Sequence, residues 1–272
     1  MRLSERSFSL LLAMVPGMGG RSVTRVLARN QLLGVSPEEF LVLSAEAYRE
    51  EYRLSARVAD YLVGHRQTLV QENQPFEERL ERLGVRWSVI TDAGFPEMIE
   101  QFDVQSPAMV FMYGNLKLLS AKTFCVLSSR NASFDQLNEI ESLAEAGVLQ
   151  GEVLVTGHDR PEYQRSAVVP LRWGAPRILC LDRGLFQVLG DDLKNEAFRA
   201  ARLLRYEFDP STDLVISPFR PESGFIGVNN QVRDRLVASL SHRLTFVNVR
   251  PGGNMEKLAR TAEKAGRQVM VV

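Results

Sequence analysis

Five arginines between positions 130 and 250 of this 272-residue chain each stand just past a short apolar run. Ser129-Arg130-Asn131-Ala132-Ser133 follows residues 123–128, and Gly157-His158-Asp159-Arg160 follows 152–156. Asp182-Arg183-Gly184 follows 177–181, Pro218-Phe219-Arg220 follows 213–217, and Arg250-Pro251-Gly252-Gly253-Asn254 follows 244–249. If the runs are parallel strands, these segments meet at one sheet edge, where open α/β sheets bind ligands. Helix starts carry partial positive charge and favour acidic side chains, so arginines gathered there call for an anion. Free N–H groups at helix starts bind phosphate. Gly252 and Gly253 would let a ligand approach the backbone closely. The hydroxyls of Ser129 and Ser133 can donate to phosphate oxygens. The expected chemistry is a binding floor for a phosphate, a nucleotide or a nucleic-acid backbone, with Gly157 on its second segment. Any one of these arginines taken alone is more often a solvated or ion-paired surface residue. Asp159 and Asp182 adjoin two of them and could draw off part of the charge.

No catalytic set emerges beside this edge. Ser128, Ser129 and Ser133 have no histidine base in their sequence context. His158 is a lone histidine, and Glu256 could serve as an acid or base or simply as a favourable first-turn carboxylate. His65, His158 and His242 lie far apart without cysteines or carboxylates at ligand spacing, so no metal is expected. No cofactor is implied. Cys125 and Cys180 fall in apolar runs and read as reduced core residues.

The elements that must position the edge come from hydrophobic periodicity. Residues 1–82 read as a small helical domain: Leu10, Leu11, Met14, Val23, Val26 and Leu27, then Leu54, Val58, Tyr61 and Leu62, recur at three- and four-residue spacing. Ser36-Pro37 has the form of an N-cap and first-turn pair. From about residue 85 short β-branched runs alternate with helical stretches. Strands are predicted at 86–90, 109–113, 123–128, 152–156, 177–181, 213–217, 244–249 and 268–272. Helices are predicted at 134–147, 161–173, 191–205, 229–240 and 255–265. Such alternation predicts an α/β domain over 83–272, with a Rossmann-like parallel sheet covered by helices on both faces. Asn73-Gln74-Pro75 is the expected link between the two parts.

Composition fits that picture. Hydrophobic residues make up 45% and charged residues 24%, enough for a full core. No apolar run approaches the roughly 20 residues of a membrane span, and the first stretch lacks a signal-peptide cleavage pattern, so a cytoplasmic protein is expected. The formal net charge is zero. A nucleic-acid role would have to rest on a local basic patch.

Several segments match a known pattern. Gly84-Val85, Asp92, Phe95-Pro96, Pro107 and Phe111-Met112-Tyr113-Gly114-Asn115 keep the order that leads into the sheet of the DNA-processing protein A (DprA/Smf) family. FCVLSSRNAS resembles that family's phosphate loop, with Arg130 and Ser133 on matching positions. VTGHDR, ILCLDRGL, LVISPF and GRQVMVV resemble its later strand ends, and RDRLVASLS resembles its arginine motif, placing Arg233, Arg235 and Ser241 there. VPGMGGRSVTRVL resembles the family's helix-hairpin-helix (SAM-like) start; such a hairpin can touch a nucleic-acid backbone through its Gly-rich turn, or can be a plain packing unit. The resemblance implies a non-enzymatic protein of DNA uptake, competence and recombination. Such a protein binds single-stranded DNA, forms a homodimer and passes the strand to a recombinase.

The chain departs from the pattern in places. Ser128 replaces the loop glycine, and Pro161, Tyr163 and Ala167 occupy the second-strand motif. Pro218 replaces a glutamate, Asp234 an asparagine, and Asn248 a glutamate. No winged-helix segment follows Val272 in the sequence. It reads as a divergent member. Phe219 and Phe225 are the aromatics nearest the edge, so base stacking should be modest. Two other functions compete. RPGGNMEK partly resembles the loop of phosphoribohydrolases that act on nucleoside monophosphates, which leaves a nucleotide-binding sensor or a phosphoribohydrolase-like protein on the same fold. A degenerate scaffold for protein contacts is the other, and arginines tied up in salt bridges would favour it.

Overall fold

The computed structural model describes residues 3–272. The chain divides into two compact units, one running to Phe95 and including Gln105–Val110, the other comprising Pro96–Val104 and Phe111–Val272.

The first unit is built from α1 (Glu5–Met14), α2 (Gly20–Leu33), α3 (Pro37–Leu41), α4 (Ala45–Glu50) and α5 (Ala56–Arg82), followed by the strand β1 (Arg86–Val89). Four of the five helices open on a serine whose hydroxyl accepts a first-turn N–H: Ser4, Ser36, Ser44 and Ser55. Each such cap contributes roughly 1 kcal/mol. Ser36 and Glu39 close a full capping box, as Ser36-Pro37 predicted. The apolar faces meet around Phe40, whose ring packs against Phe8, Tyr48 and Tyr52 with centroids 4.9–5.4 Å apart. The α1–α2 turn uses glycine for space: a Cβ on Gly20 would lie 2.6 Å from the Ser106 carbonyl oxygen. The expected link at Asn73-Gln74-Pro75 is instead part of α5, which runs unbroken through Pro75. Leu69, Asn73, Phe76 and Leu80 are all buried along it, and the Asn73 amide donates to the Ser7 carbonyl at 3.0 Å. Burial of that face outweighs the roughly 3 kcal/mol a proline costs inside a helix.

The second unit is the α/β part. It contains α6 (Glu97–Phe102), most of β2 (Met109–Gly114), β3 (Thr123–Ser128), α7 (Phe134–Leu149), β4 (Val153–Thr156), α8 (Pro161–Ala167), α9 (Val169–Trp173) and β5 (Arg177–Cys180). It continues through α10 (Leu185–Leu189), α11 (Arg199–Arg202), β6 (Leu214–Ser217), α12 (Asn229–Ser239), β7 (Arg243–Val247), α13 (Asn254–Lys264) and β8 (Gln268–Val271). Strand order is β1-β2-β6-β5-β4-β3-β7-β8. The pairs from β6 across to β8 are parallel, and β2 is antiparallel to β6. The expected Rossmann-like, mostly parallel sheet is therefore present. Strands β3, β4, β5 and β6 are buried along their whole length, which is why their central residues are apolar without alternation; the buried Arg177 at the start of β5 is the charged exception.

Two expected helices differ. Residues 161–173 form α8 and α9 separately, because Pro170 cannot donate within a continuous helix. Residues 191–205 yield only α11. Leu193 adopts a left-handed φ of 60°, and Glu196 is fully buried against Arg177 at 2.7 Å. That ion pair, not helical periodicity, sets the path of the segment.

Candidate functional site

The chain passes from β3 through β4 and β5 to β6 in one direction, then returns to β7 on the opposite side of β3. Open α/β sheets have their ligand crevice at such a reversal. A crevice of about 260 Å³ lies there, its lining including Ser129, Arg130, Arg160, Asn230, Asp234, Arg250 and Gly253.

Two asparagines shape the loops. Asn131, after β3, and Asn248, after β7, take left-handed φ values of 62° and 54°, a conformation asparagine tolerates better than most residues. The loops are laced together: the Arg250 N–H donates to Ser129 Oγ at 3.2 Å and its Nη2 donates to the Arg130 carbonyl at 2.6 Å. Asn230, oriented to satisfy both neighbours, accepts from Arg130 Nη2 at 2.9 Å and donates to Asp159 at 3.2 Å. Arg130 and Arg250 are exposed. Among the described residues, no carboxylate pairs with either guanidinium.

The other predicted residues lie elsewhere or are already engaged. Arg160 lines the crevice but sits 3.2 Å from Asp234 and 3.6 Å from Asp159. Arg183 forks onto Asp182 at 2.8 and 3.2 Å. Arg220 is half-buried outside the crevice, its carbonyl accepting the Ser223 N–H at 2.8 Å. Arg233 is fully buried, bound to Asp159 and, at 2.8 Å, to Asp234, with its guanidinium 4.3 Å from the Tyr163 ring centre. Gly157 leaves room for that guanidinium, since a Cβ there would come within 2.7 Å of Arg233 Nη1. Arg235 donates to Asp103 at 2.8 Å. Ser133 is the exposed N-cap of α7, in a capping box with Gln136. Gly252, at φ 72°, turns the chain into α13, and Gly253 is that helix's N-cap.

Two backbone donors that a phosphate would use are occupied by carboxylates. Glu162 accepts from the Ala132 N–H at 3.2 Å. Glu256 accepts from the Gly252 N–H at 2.6 Å and is itself held by Arg260 at 2.7 Å. An anion at this edge would therefore rest mainly on Arg130 and Arg250. Sequence reading placed Asn254 at the edge without a role and missed Asn230 and Gln231, all of which line the crevice. The polar Asn229-Asn230-Gln231 run at the start of α12 was the available signal. Among the described residues, no group of three or more histidines, cysteines, aspartates and glutamates could hold a metal ion, and no helix is long and apolar enough to cross a membrane.

His158 lies beneath this edge, 5% exposed, with its Nδ1 unpartnered and its Nε2 3.8 Å from Asp182. Burial pushes its pKa down from 6.5 to about 4, outweighing the attraction of Asp182 and Asp159. The folded chain thus refuses a proton that the unfolded chain accepts. Stability should fall as pH drops from about 6.5 to about 4, by on the order of 3 kcal/mol in all. Urea midpoints across that window measure it, and His158→Phe should flatten the slope; an unchanged slope would assign the effect to other groups.

Fold and site together define a Rossmann-like α/β protein with a small cationic crevice at its topological switch point. Over the whole chain the structure is similar to DNA processing protein A (DprA) from Streptococcus pneumoniae, with a TM-score of 0.71, 18% identity and 87% of that chain covered. It is also similar to DNA processing protein A from Helicobacter pylori, a structure described for its single-stranded DNA binding mode. There the TM-score is 0.51 at 16% identity, over 68% of this chain and 80% of that one. At these identities the likeness is one of fold. No protein-family model matches the sequence, and no curated protein does.

Proposed function

We propose that this chain is a divergent member of the DNA-processing protein A family, and that it binds single-stranded DNA without catalysis by holding phosphates at the switch-point crevice. The observation that carries this reading is the pair of exposed guanidiniums, Arg130 and Arg250, facing one crevice with no carboxylate among the described residues on either. The whole-chain likeness to the S. pneumoniae protein supports it, as does the DNA-binding description of the H. pylori protein. In this reading a helical SAM-like domain over 1–82 precedes the Rossmann-like domain over 83–272. The protein acts in the cytoplasm as a homodimer and passes the strand to a recombinase. Contacts run mainly to the backbone, because Phe219 is half-buried and Phe225 packs over Arg183, 5.2 Å from its guanidinium.

Fluorescence anisotropy with a labelled oligothymidylate tests the reading. Binding should weaken steeply with salt, and Arg130→Ala and Arg250→Ala should each reduce both the affinity and the salt slope, the slope by about one unit for each phosphate no longer neutralised. Lys122→Ala, at the opposite end of β3, should leave binding unchanged. No binding at low salt would overturn the proposal. Release of free base from nucleoside monophosphates would replace it with the hydrolase reading.

A further inference from the structure

A second feature of the α/β unit shares no lining residue with the crevice. A groove of about 410 Å³ runs between α8–α9 and α11, lined by Arg165, Val168, Arg172, Ala200, Leu203 and Leu204 among others. Leu203 is 88% exposed and Leu204 48%, so two large apolar side chains in succession are left in water.

This is not slack chain. Glu196, before α11, and Arg205, after it, are joined by hydrogen bonds of 2.8 and 2.6 Å, and Glu196 is fully buried against Arg177. Phe198 and Ala201 anchor the segment from beneath, at 7% and 0% exposure. The base of the 197–204 segment is closed and its inner side is packed, which holds the leucines outward. An apolar surface held rigidly in solvent marks an interaction site.

Charge states what would cover it. Arg165 and Arg172 share one carboxylate, Glu141. Arg202 spends its guanidinium on the neutral Glu196 carbonyl, with both donors at 3.3 Å. Arg199 is exposed, and among the described residues it has no carboxylate partner. Arg165 and Arg172 line the groove and α11 carries Arg199 and Arg202, so the helices that form its walls hold four guanidiniums that pair with a single carboxylate. A second copy docking through a two-fold axis would set these arginines against themselves, and like charges facing each other oppose association. We infer that the α8–α9/α11 groove docks an acidic, leucine-bearing peptide segment of a partner protein, its apolar side chains covering Leu203 and Leu204 and its carboxylates meeting the arginines. The inference is independent of the DNA-binding reading.

The test uses the full chain and a fluorescein-labelled 16-residue peptide carrying two Leu-x-x-Leu pairs among aspartates and glutamates, with a lysine-substituted copy as control. Anisotropy should show binding of the acidic peptide only, weakening with salt. Leu203→Ser/Leu204→Ser and Arg199→Glu should each lower affinity at least tenfold, and these exposed positions should leave the far-UV circular dichroism unchanged. Equal binding of both peptides, no binding of either, or unaltered affinity in the variants would overturn the inference. So would a concentration-dependent dimer in sedimentation that the double serine variant abolishes, since the occupant would then be a second copy.

Discussion

Arg233→Ala is expected to destabilise the α/β unit by roughly 3–5 kcal/mol, the cost of leaving buried charge without its partner. Arg233 is wholly inaccessible and binds Asp159 and Asp234, while Tyr163 donates to the same Asp234 at 2.6 Å. Without that guanidinium, Arg160 is the remaining cation paired with both carboxylates among the described residues, at 3.2 and 3.6 Å. The loss should carry a pH signature. Burial pushes the Asp159 carboxyl up, but the Arg233 charge and hydrogen bond overcome this and hold it below 3.8. A carboxylate with a depressed folded pKa stabilises above its unfolded value and loses that contribution as pH falls through the folded one. In the variant burial is left to push the carboxyl up, so protonation relieves the penalty and the stability difference from wild type should be smaller at pH 4 than at pH 7. Urea denaturation at pH 7 and pH 4 measures both effects. A stability change below about 1 kcal/mol would mean that the ion cluster is not what holds α8 to α12.

The second large effect lies at the amino ends of β5 and β6. Arg177→Lys should cost several kcal/mol although it keeps the charge, because one ammonium cannot span the acceptors that the planar fork serves. Arg177 donates to Asp213 at 2.8 Å, Glu196 at 2.7 Å and the Ala167 carbonyl at 2.9 Å, and Arg205 binds the same two carboxylates. Arg177, Glu196 and Asp213 are all fully buried. Hydrogen exchange at Ile178–Cys180 should accelerate in the variant, reporting opening of the sheet where Arg177 begins β5. Protection equal to wild type there would show that Arg205 alone satisfies both carboxylates.

These two clusters also explain where sequence reading stopped. Periodicity found all eight strands; the central parallel ones are the clearest, because a strand buried on both faces is largely apolar and its neighbours in sequence are helical. It also predicted the Ser36 cap, since capping needs only a short polar side chain at a helix start. It took Pro75 for a break, because the compensating contact of Asn73 with Ser7 spans 66 residues. It drew one helix over 191–205, because the Arg177–Glu196 pair that redirects the segment is tertiary. The departures from the family pattern have physical counterparts. Asp234 and Asp159 together close a neutral cluster with Arg160 and Arg233, and Asn248 meets a left-handed turn.

The sequence by itself determined the α/β architecture and that five arginines stand at the carboxyl ends of its strands, because strand period and loop position are local properties. Which of those arginines keep their charge available was decided only by the tertiary structure. Carboxylates brought from distant segments or adjacent positions bind Arg160 and Arg183, Glu162 and Glu256 cap two backbone donors, and strand order sets Arg130 and Arg250 side by side at the β3–β7 reversal.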